Sequence, residues 1–164
     1  MVNSALEKAV NEQIKHELYS SYLYLHMSSF CTERNFPGFG RWLMMQSEEE
    51  RSHAMKFYAF LHQHGNHVDL QAIEKPAGKY KSPKDVFENV LGHEQKVTAL
   101  IRKLYELAIR EKDYATQIFL QWFITEQVEE EANATEILQK FEMIEEQGPA
   151  LVMLDRELGA RSAS

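Results

Sequence analysis

An all-α four-helix bundle with one long crossover connection, followed by a short fifth helix, is the fold this sequence predicts. Three observations lead there. Four long stretches carry apolar residues at helical spacing. Gly and Pro number only 7 and 4 in 164 residues, and most of them fall outside the interiors of those stretches. Two of the connections are short and one is long, and connection length decides which helices run antiparallel.

The first helix is expected from Ser4, read as its N-cap, to Glu33, where Asn35-Phe36-Pro37-Gly38 breaks the pattern. The second runs from Phe39 to His64 and stops at Gly65-Asn66. Ser82-Pro83 opens the third, a cap followed by proline in the first turn, and it continues to about Arg110. The fourth starts after Asp113 and reaches Glu146, with Gly148-Pro149 beyond it. The tail ALVMLDRELG makes a short helix, about 149–160, with Leu151, Leu154 and Leu158 on one face. The link 66–82, at ~17 residues, can extend ~55 Å, and a helix of ~27 residues is ~40 Å long. It can therefore cross the whole bundle and let helices two and three run parallel. All 164 residues are read as one domain, with the bundle at about 4–146.

Composition narrows the function. A net charge of -7 disfavours nucleic acid as a partner and suits cations. A single cysteine, Cys31, excludes an internal disulfide and fits a reducing cytoplasm, the expected location. No run of ~18 apolar residues could span a membrane. The opening MVNSALEKAVNEQ is polar and helical in pattern, without a signal-peptide core.

Heptad counting exposes an anomaly. Val10, Glu17, Tyr24 and Cys31 share one stripe of the first helix, and Leu43, Glu50, Phe57 and His64 one stripe of the second. Phe87, Glu94, Ile101 and Ala108 follow in the third. The fourth carries Leu120, Gln127, Ala134 and Phe141, beside Phe123, Glu130, Ile137 and Ile144. Each apolar stripe is thus interrupted near its middle by an acid or amide, and His53 joins Glu50 at i,i+3. Glu17 to Glu50 is 33 positions, and so is Glu94 to Gln127. A lone Glu-x-x-His on a helix usually marks a solvated face. Four carboxylates in one dry layer are different, because each costs several kcal/mol unless compensated. Two divalent cations would cancel four such charges. Oxygen ligands with one imidazole suit Fe(II), Mn(II) or Zn(II), as in di-iron carboxylate bundles. A polar network or a misjudged helix phase is the alternative.

The segments NEQIKHELYSSYLYLHMS, EEERSHAMKF and FLQWFITEQVEEE resemble those of the ferritins, specifically the non-haem bacterial and archaeal type, and the resemblance covers nearly the whole chain. It implies a ferroxidase centre of Glu17, Glu50 and His53 on one iron and Glu50, Glu94 and Glu130 on the other, with Glu50 bridging. It places Gln127 beside the ligands as a hydrogen-bonding group and Tyr24 as a neighbouring tyrosine. A third iron position toward the inner surface matches Glu49, Glu126 and Glu129, with Glu130 shared; an exposed acidic face is the other reading of those residues. Haem is not expected, because Arg51 stands where bacterioferritins carry their haem-binding methionine. Gln117 and Leu120 fall near the positions that are acidic in the three-fold pores of animal ferritins. The implied substrates are Fe(II) and O2 or peroxide, and the implied assembly is a homo-oligomeric cage of 24 subunits. The tail leucines, which lack a partner in a closed four-helix bundle, are expected to pack around a four-fold axis, or else to fold back on their own subunit. A di-iron oxidase or peroxidase without mineral storage, and a helical interaction module binding stray ions, compete with the storage reading.

Other conspicuous residues receive structural assignments. His62, His64 and His67 are expected to cap the end of the second helix. His93 is expected on another face from Glu94, and Cys31 as a buried thiol. Met27, Met44, Met45 and Met55 are read as packing residues, and Trp42 and Trp122 as helix or subunit contacts.

Overall fold

The computed structural model describes residues 1–145 and 148–162. Five helices follow in order: α1 (Ser4–Glu33), α2 (Pro37–Gln63), α3 (Pro83–Arg110), α4 (Tyr114–Ile144) and α5 (Gly148–Gly159). Among the described residues there is no strand. The boundaries follow from capping chemistry. Asn3, not Ser4, caps α1, because its Oδ1 accepts the Leu6 N–H at 3.0 Å. Ser82 and Asp113 cap α3 and α4 in the same way, accepting from Asp85 and Thr116. Helix α2 starts two residues earlier than expected, because Pro37 occupies its first turn, where the missing N–H costs nothing. The expected end of the fourth helix at Glu146 lies outside the described residues.

Hydrogen bonds at the ends fix the topology. Val2 N–H donates to Asn66 Oδ1 at 2.9 Å, so the start of α1 lies beside the end of α2. Asn3 Nδ2 donates to Glu111 Oε2 at 2.6 Å, so the end of α3 is there too. Helices α2 and α3 consequently run parallel, both antiparallel to α1. The connection between them travels the length of α1. Asn11 binds the backbone of His67 and Asp69, His26 meets the Gly78 carbonyl, and the Tyr80 ring packs edge-on against Phe30.

The predicted stripes are buried as read, except that His64 and Ile144 are only half-buried. Apolar residues form two clusters. One holds Met27, Phe39, Phe87 and Phe141, the other Leu6, Phe57, Ile101 and Leu120. Between them on the stripes lie the acids and amides. Leu120 is fully buried in its own subunit, and Gln117 donates to the Ala108 carbonyl. Met27 is buried, whereas Met44 and Met55 are exposed rather than packed.

The tail folds back on its own bundle, the second of the two expectations for it. Leu154 and Leu158 are buried in the first cluster, with Leu151 packed against it. Close approach makes this possible. A Cβ on Gly38 would fall 1.7 Å from the Asp155 carbonyl oxygen, and one on Gly159 would fall 2.8 Å from Gly38 Cα. Asp155 Oδ1 then accepts the Phe39 N–H at 2.8 Å. Phe36 at the start of α2 offers no side-chain cap, so α5 supplies one across space.

Candidate metal centre

Glu17 on α1, Glu50 and His53 on α2, Glu94 on α3, and Gln127 and Glu130 on α4 are all buried, each at 5% exposure or less. Amphipathic periodicity puts them there: every one sits on the stripe that packs inward. Glu17, Glu50 and His53 each offer a ligand atom within 4.8 Å of the others, a group that could hold a metal ion. His53 Nδ1 is 3.5 Å from Glu50 Oε2 and 4.0 Å from Glu17 Oε2. Glu17 Oε2 and Glu50 Oε1 are buried without a hydrogen-bond partner. Such orphan acceptors are costly in a native fold, and a bound cation would satisfy them.

Across the layer, Glu94 is held rather than orphaned. The Tyr24 hydroxyl donates to its Oε1, and Gln127 Nε2 donates to its Oε2 at 3.1 Å. Gln46 Nε2 donates to Glu130 Oε2 at 2.7 Å. Gln127 and Tyr24 thus hold the Glu94 carboxylate between them.

The electrostatics tell the same story. Burial pushes Glu17 well above the ordinary carboxylate range, with the nearby Glu50 adding to it. Glu50 is pushed up by burial and by Glu94, and Glu94 by burial. Glu130 is raised to about 8, by burial and then by Glu94 and Glu49. Four acids whose protons are held more tightly by the dry layer are poised to exchange them for dications. Tyr24 is raised for like reasons, burial first and Glu94 next, so its hydroxyl stays a donor.

Glu49, Glu126, Glu129 and Glu130 line one cavity of about 580 Å³, with His53, Trp122 and Arg161. His53 Nε2 faces Glu126 Oε1 at 3.9 Å. The imidazole therefore stands between the buried acids and the carboxylates that line the cavity. Glu126 is half-buried and Glu129 exposed, so these acids form the mouth of the layer, not its interior. Trp122 lines that mouth, its ring centroid 5.3 Å from that of His53.

The histidines at the end of α2 divide as their positions dictate. His64 bonds the Phe60 carbonyl through Nδ1 at 2.8 Å, which is a capping contact. His62 lies in the last turn. His67 is in the crossover and gives its backbone carbonyl to Asn11. His93 bonds Ser20 at 2.7 Å, and burial lowers it to about 4, with Lys96 and His16 adding to the shift. Cys31 is buried, and burial raises its thiol to about 12.

Sequence reasoning missed two amides, Gln13 and Gln46. Gln13 Nε2 donates to Glu17 Oε1 at 2.8 Å. Spacing alone hinted at them, since they lie 33 apart and Gln13 precedes its acceptor Glu17 by four residues, but nothing in the sequence pairs Gln46 with Glu130. Arg161 and its bond to Glu49 carried no periodic signal, since Arg161 follows the last helix.

Acids from each of four helices, converging with one imidazole in the dry middle of a bundle, define a carboxylate metal-binding bundle protein. A family model described as a ferritin-like domain matches residues 7–144. The bacterial non-heme ferritin of Campylobacter jejuni is 41% identical over 156 residues, covering 95% of this chain and 93% of that protein. That of Staphylococcus saprophyticus is 38% identical over 162 residues, covering 99% and 97%. Among solved structures, a closed form of the Archaeoglobus fulgidus ferritin, engineered by site-directed mutagenesis, superposes with a TM-score of 0.98 at 43% identity over 100% of both chains. The open pore ferritin of the same archaeon superposes with a TM-score of 0.97 at 44% identity, covering 99% and 100%. This chain belongs to the ferritin family.

Proposed function

We infer that this chain stores and detoxifies iron, oxidising Fe(II) with O2 inside each subunit and depositing ferric mineral in a cage of 24 copies. One observation carries the reading: two orphaned buried carboxylate oxygens, on Glu17 and Glu50, beside the His53 imidazole. Family membership supplies iron as the metal and storage as its purpose. The proposed ligands are Glu17, Glu50 and His53 for one Fe(II), and Glu50, Glu94 and Glu130 for the other. A third position would use Glu49, Glu126 and Glu129 with Glu130, at the mouth of the layer.

The chain's own groups make the chemistry workable. Four carboxylates balance the charge of two substrate ions. Each Fe(II) gives one electron to the oxidant, and hydrolysis of the ferric product releases protons. Carboxylates bind oxidised and reduced iron with changeable denticity and without thiolate tightness, so product can leave. Tyr24 and Gln127 hold Glu94 in place while its charge partner changes. The half-buried acids at the inner mouth lead away from the layer. One cysteine fits work in the cytoplasm, no described helix is apolar enough to cross a membrane, and the acidic balance disfavours nucleic acid. The chain acts as one ferritin-like unit across residues 1–164, with no haem.

Aerobic Fe(II) addition followed by stopped-flow absorbance tests the site. The wild type should oxidise Fe(II) rapidly, and Glu50→Ala should abolish the fast phase; a variant with wild-type kinetics would refute the assignment. Light scattering and an iron count test storage. A particle of about 450 kDa, 24 copies of a 19.1 kDa chain, that retains iron far beyond three per chain supports it. A small oligomer that oxidises but retains none would make the chain a di-iron oxidase or peroxidase instead.

A further inference from the structure

Arg161 stands outside every role assigned so far. It lies just past the end of α5, and its guanidinium reaches back over the Trp42 ring, 4.8 Å from the centroid. From there it donates twice into the inner cavity: to Gln46 Oε1 at 3.0 Å and to Glu49 Oε2 at 2.6 Å. Gln46 passes the contact on, giving its own N–H to Glu130 Oε2. With the amide oxygen held by a guanidinium, the amide nitrogen must face Glu130. One protein cation thus sits directly on a carboxylate of the third position and, through an amide, on a carboxylate of the buried layer.

We propose that Arg161 is a displaceable counter-cation: its guanidinium takes the place beside Glu49 that a third divalent ion would take, and that ion binds by pushing it aside. The proposal rests on the metal-centre reading above and adds a competitor to it. Three features make the arginine displaceable. The Arg161 and Glu49 side chains are 19% and 21% exposed, and a partly solvated ion pair is weak. Arg161 lies two residues beyond α5, where its backbone N–H still bonds the Leu158 carbonyl at 3.2 Å, so only the long side chain has to move. Glu49, Glu126, Glu129 and Glu130 line the same cavity, so a dication there could draw oxygen ligands from more than one of them, whereas the guanidinium bonds one of these acids. The other cations lining the cavity are engaged elsewhere: Lys140 on Glu136 and Glu157, Lys56 over the Trp122 ring.

Calorimetric titration of the assembled, metal-free protein with Zn(II), a redox-inert probe, separates binding from turnover. Wild type, Arg161→Gln and Arg161→Lys are compared. Without the charge, the weakest of three binding classes should tighten about tenfold or more, a modest part of the attraction between unit charges at contact. The lysine variant, which keeps the charge, should stay near wild type, and the two tighter classes should move less than about twofold in both. A third class that is absent, unchanged or weaker in Arg161→Gln overturns the proposal and leaves Arg161 as a tie between the tail and α2. A wild type that binds no Zn(II) tightly would sink the metal centre itself, a result read before any variant is compared, and the proposal falls with it.

Discussion

Glu50 shows how far this chain has traded stability for a site. Its Oε1 is buried without a partner, its neighbours Glu17, Glu94 and Glu130 are acids, and burial, with Glu94 next, drives it toward the protonated form. In the absence of metal, an isosteric amide should be the better residue there, since it carries no charge and can donate to the orphaned Glu17 oxygen. Glu50→Gln is therefore expected to stabilise the metal-free protein by ~1–3 kcal/mol at neutral pH, a rise of several degrees in melting temperature. The same variant should lose its tight dication binding. Thermal unfolding with and without Zn(II) reads both effects; a destabilised metal-free variant would mean the layer is a satisfied polar network. Cys31 makes the opposite kind of residue. A buried thiol raised to about 12 should not react with a thiol reagent in the native protein at about pH 8, and should react on unfolding. Rapid native-state labelling would show that the first cluster opens readily.

Among the elements, α5 is tied to α2 by one carboxylate and two glycines. Asp155 accepts the Phe39 N–H in the first turn of α2, where negative charge also suits the helix dipole. Asp155→Ala should leave a buried donor unpaired, costing ~1–3 kcal/mol. Hydrogen exchange should reveal the loss locally, as reduced protection of the first turn of α2 and of α5; a uniform loss across all helices would refute a local tie. Gly38→Ala should act in the same place more severely, because its methyl has no room against Asp155. These contacts also explain what the sequence hid. Helix count, capping at Ser82, the start after Asp113, the parallel pair and the stripes were legible, because period and punctuation are local. The docking of Leu154 and Leu158 was legible only as one of two alternatives, because it depends on two glycines 121 residues apart (Gly38 and Gly159) letting backbones touch. Glu17, Glu50, Glu94 and Glu130 were legible as misfits on apolar stripes. Gln13 and Gln46 were not, since an amide on a helix raises no energetic alarm until the acid it serves is seen.

For the whole molecule, the acid layer links folding, protons and metal. Glu17, Glu50 and Glu94 are raised above their ordinary values, and Glu130 reaches about 8. Below about pH 4.5 the native and unfolded chains both hold these protons, so the layer costs little. As pH rises, the unfolded chain releases them while the native chain keeps them, and each further unit favours unfolding until the native groups also ionise. The metal-free protein should accordingly lose stability between about pH 5 and pH 8. Dications reverse the slope. They bind the deprotonated carboxylates, so protons compete with them least at high pH, and ligand stabilisation grows with affinity. The gain in melting temperature on adding Zn(II) should therefore be larger at about pH 8 than at about pH 5. Titration in weak buffer near pH 7 should release protons as metal binds, and the release should shrink above about pH 8, where Glu130 has already ionised. Melting curves across this range, paired with the proton count, make the check. Metal-free stability that climbs from pH 5 to pH 8, with no protons released on binding, would show that the four acids are ionised and solvated in the native bundle, and that dications have nothing to displace.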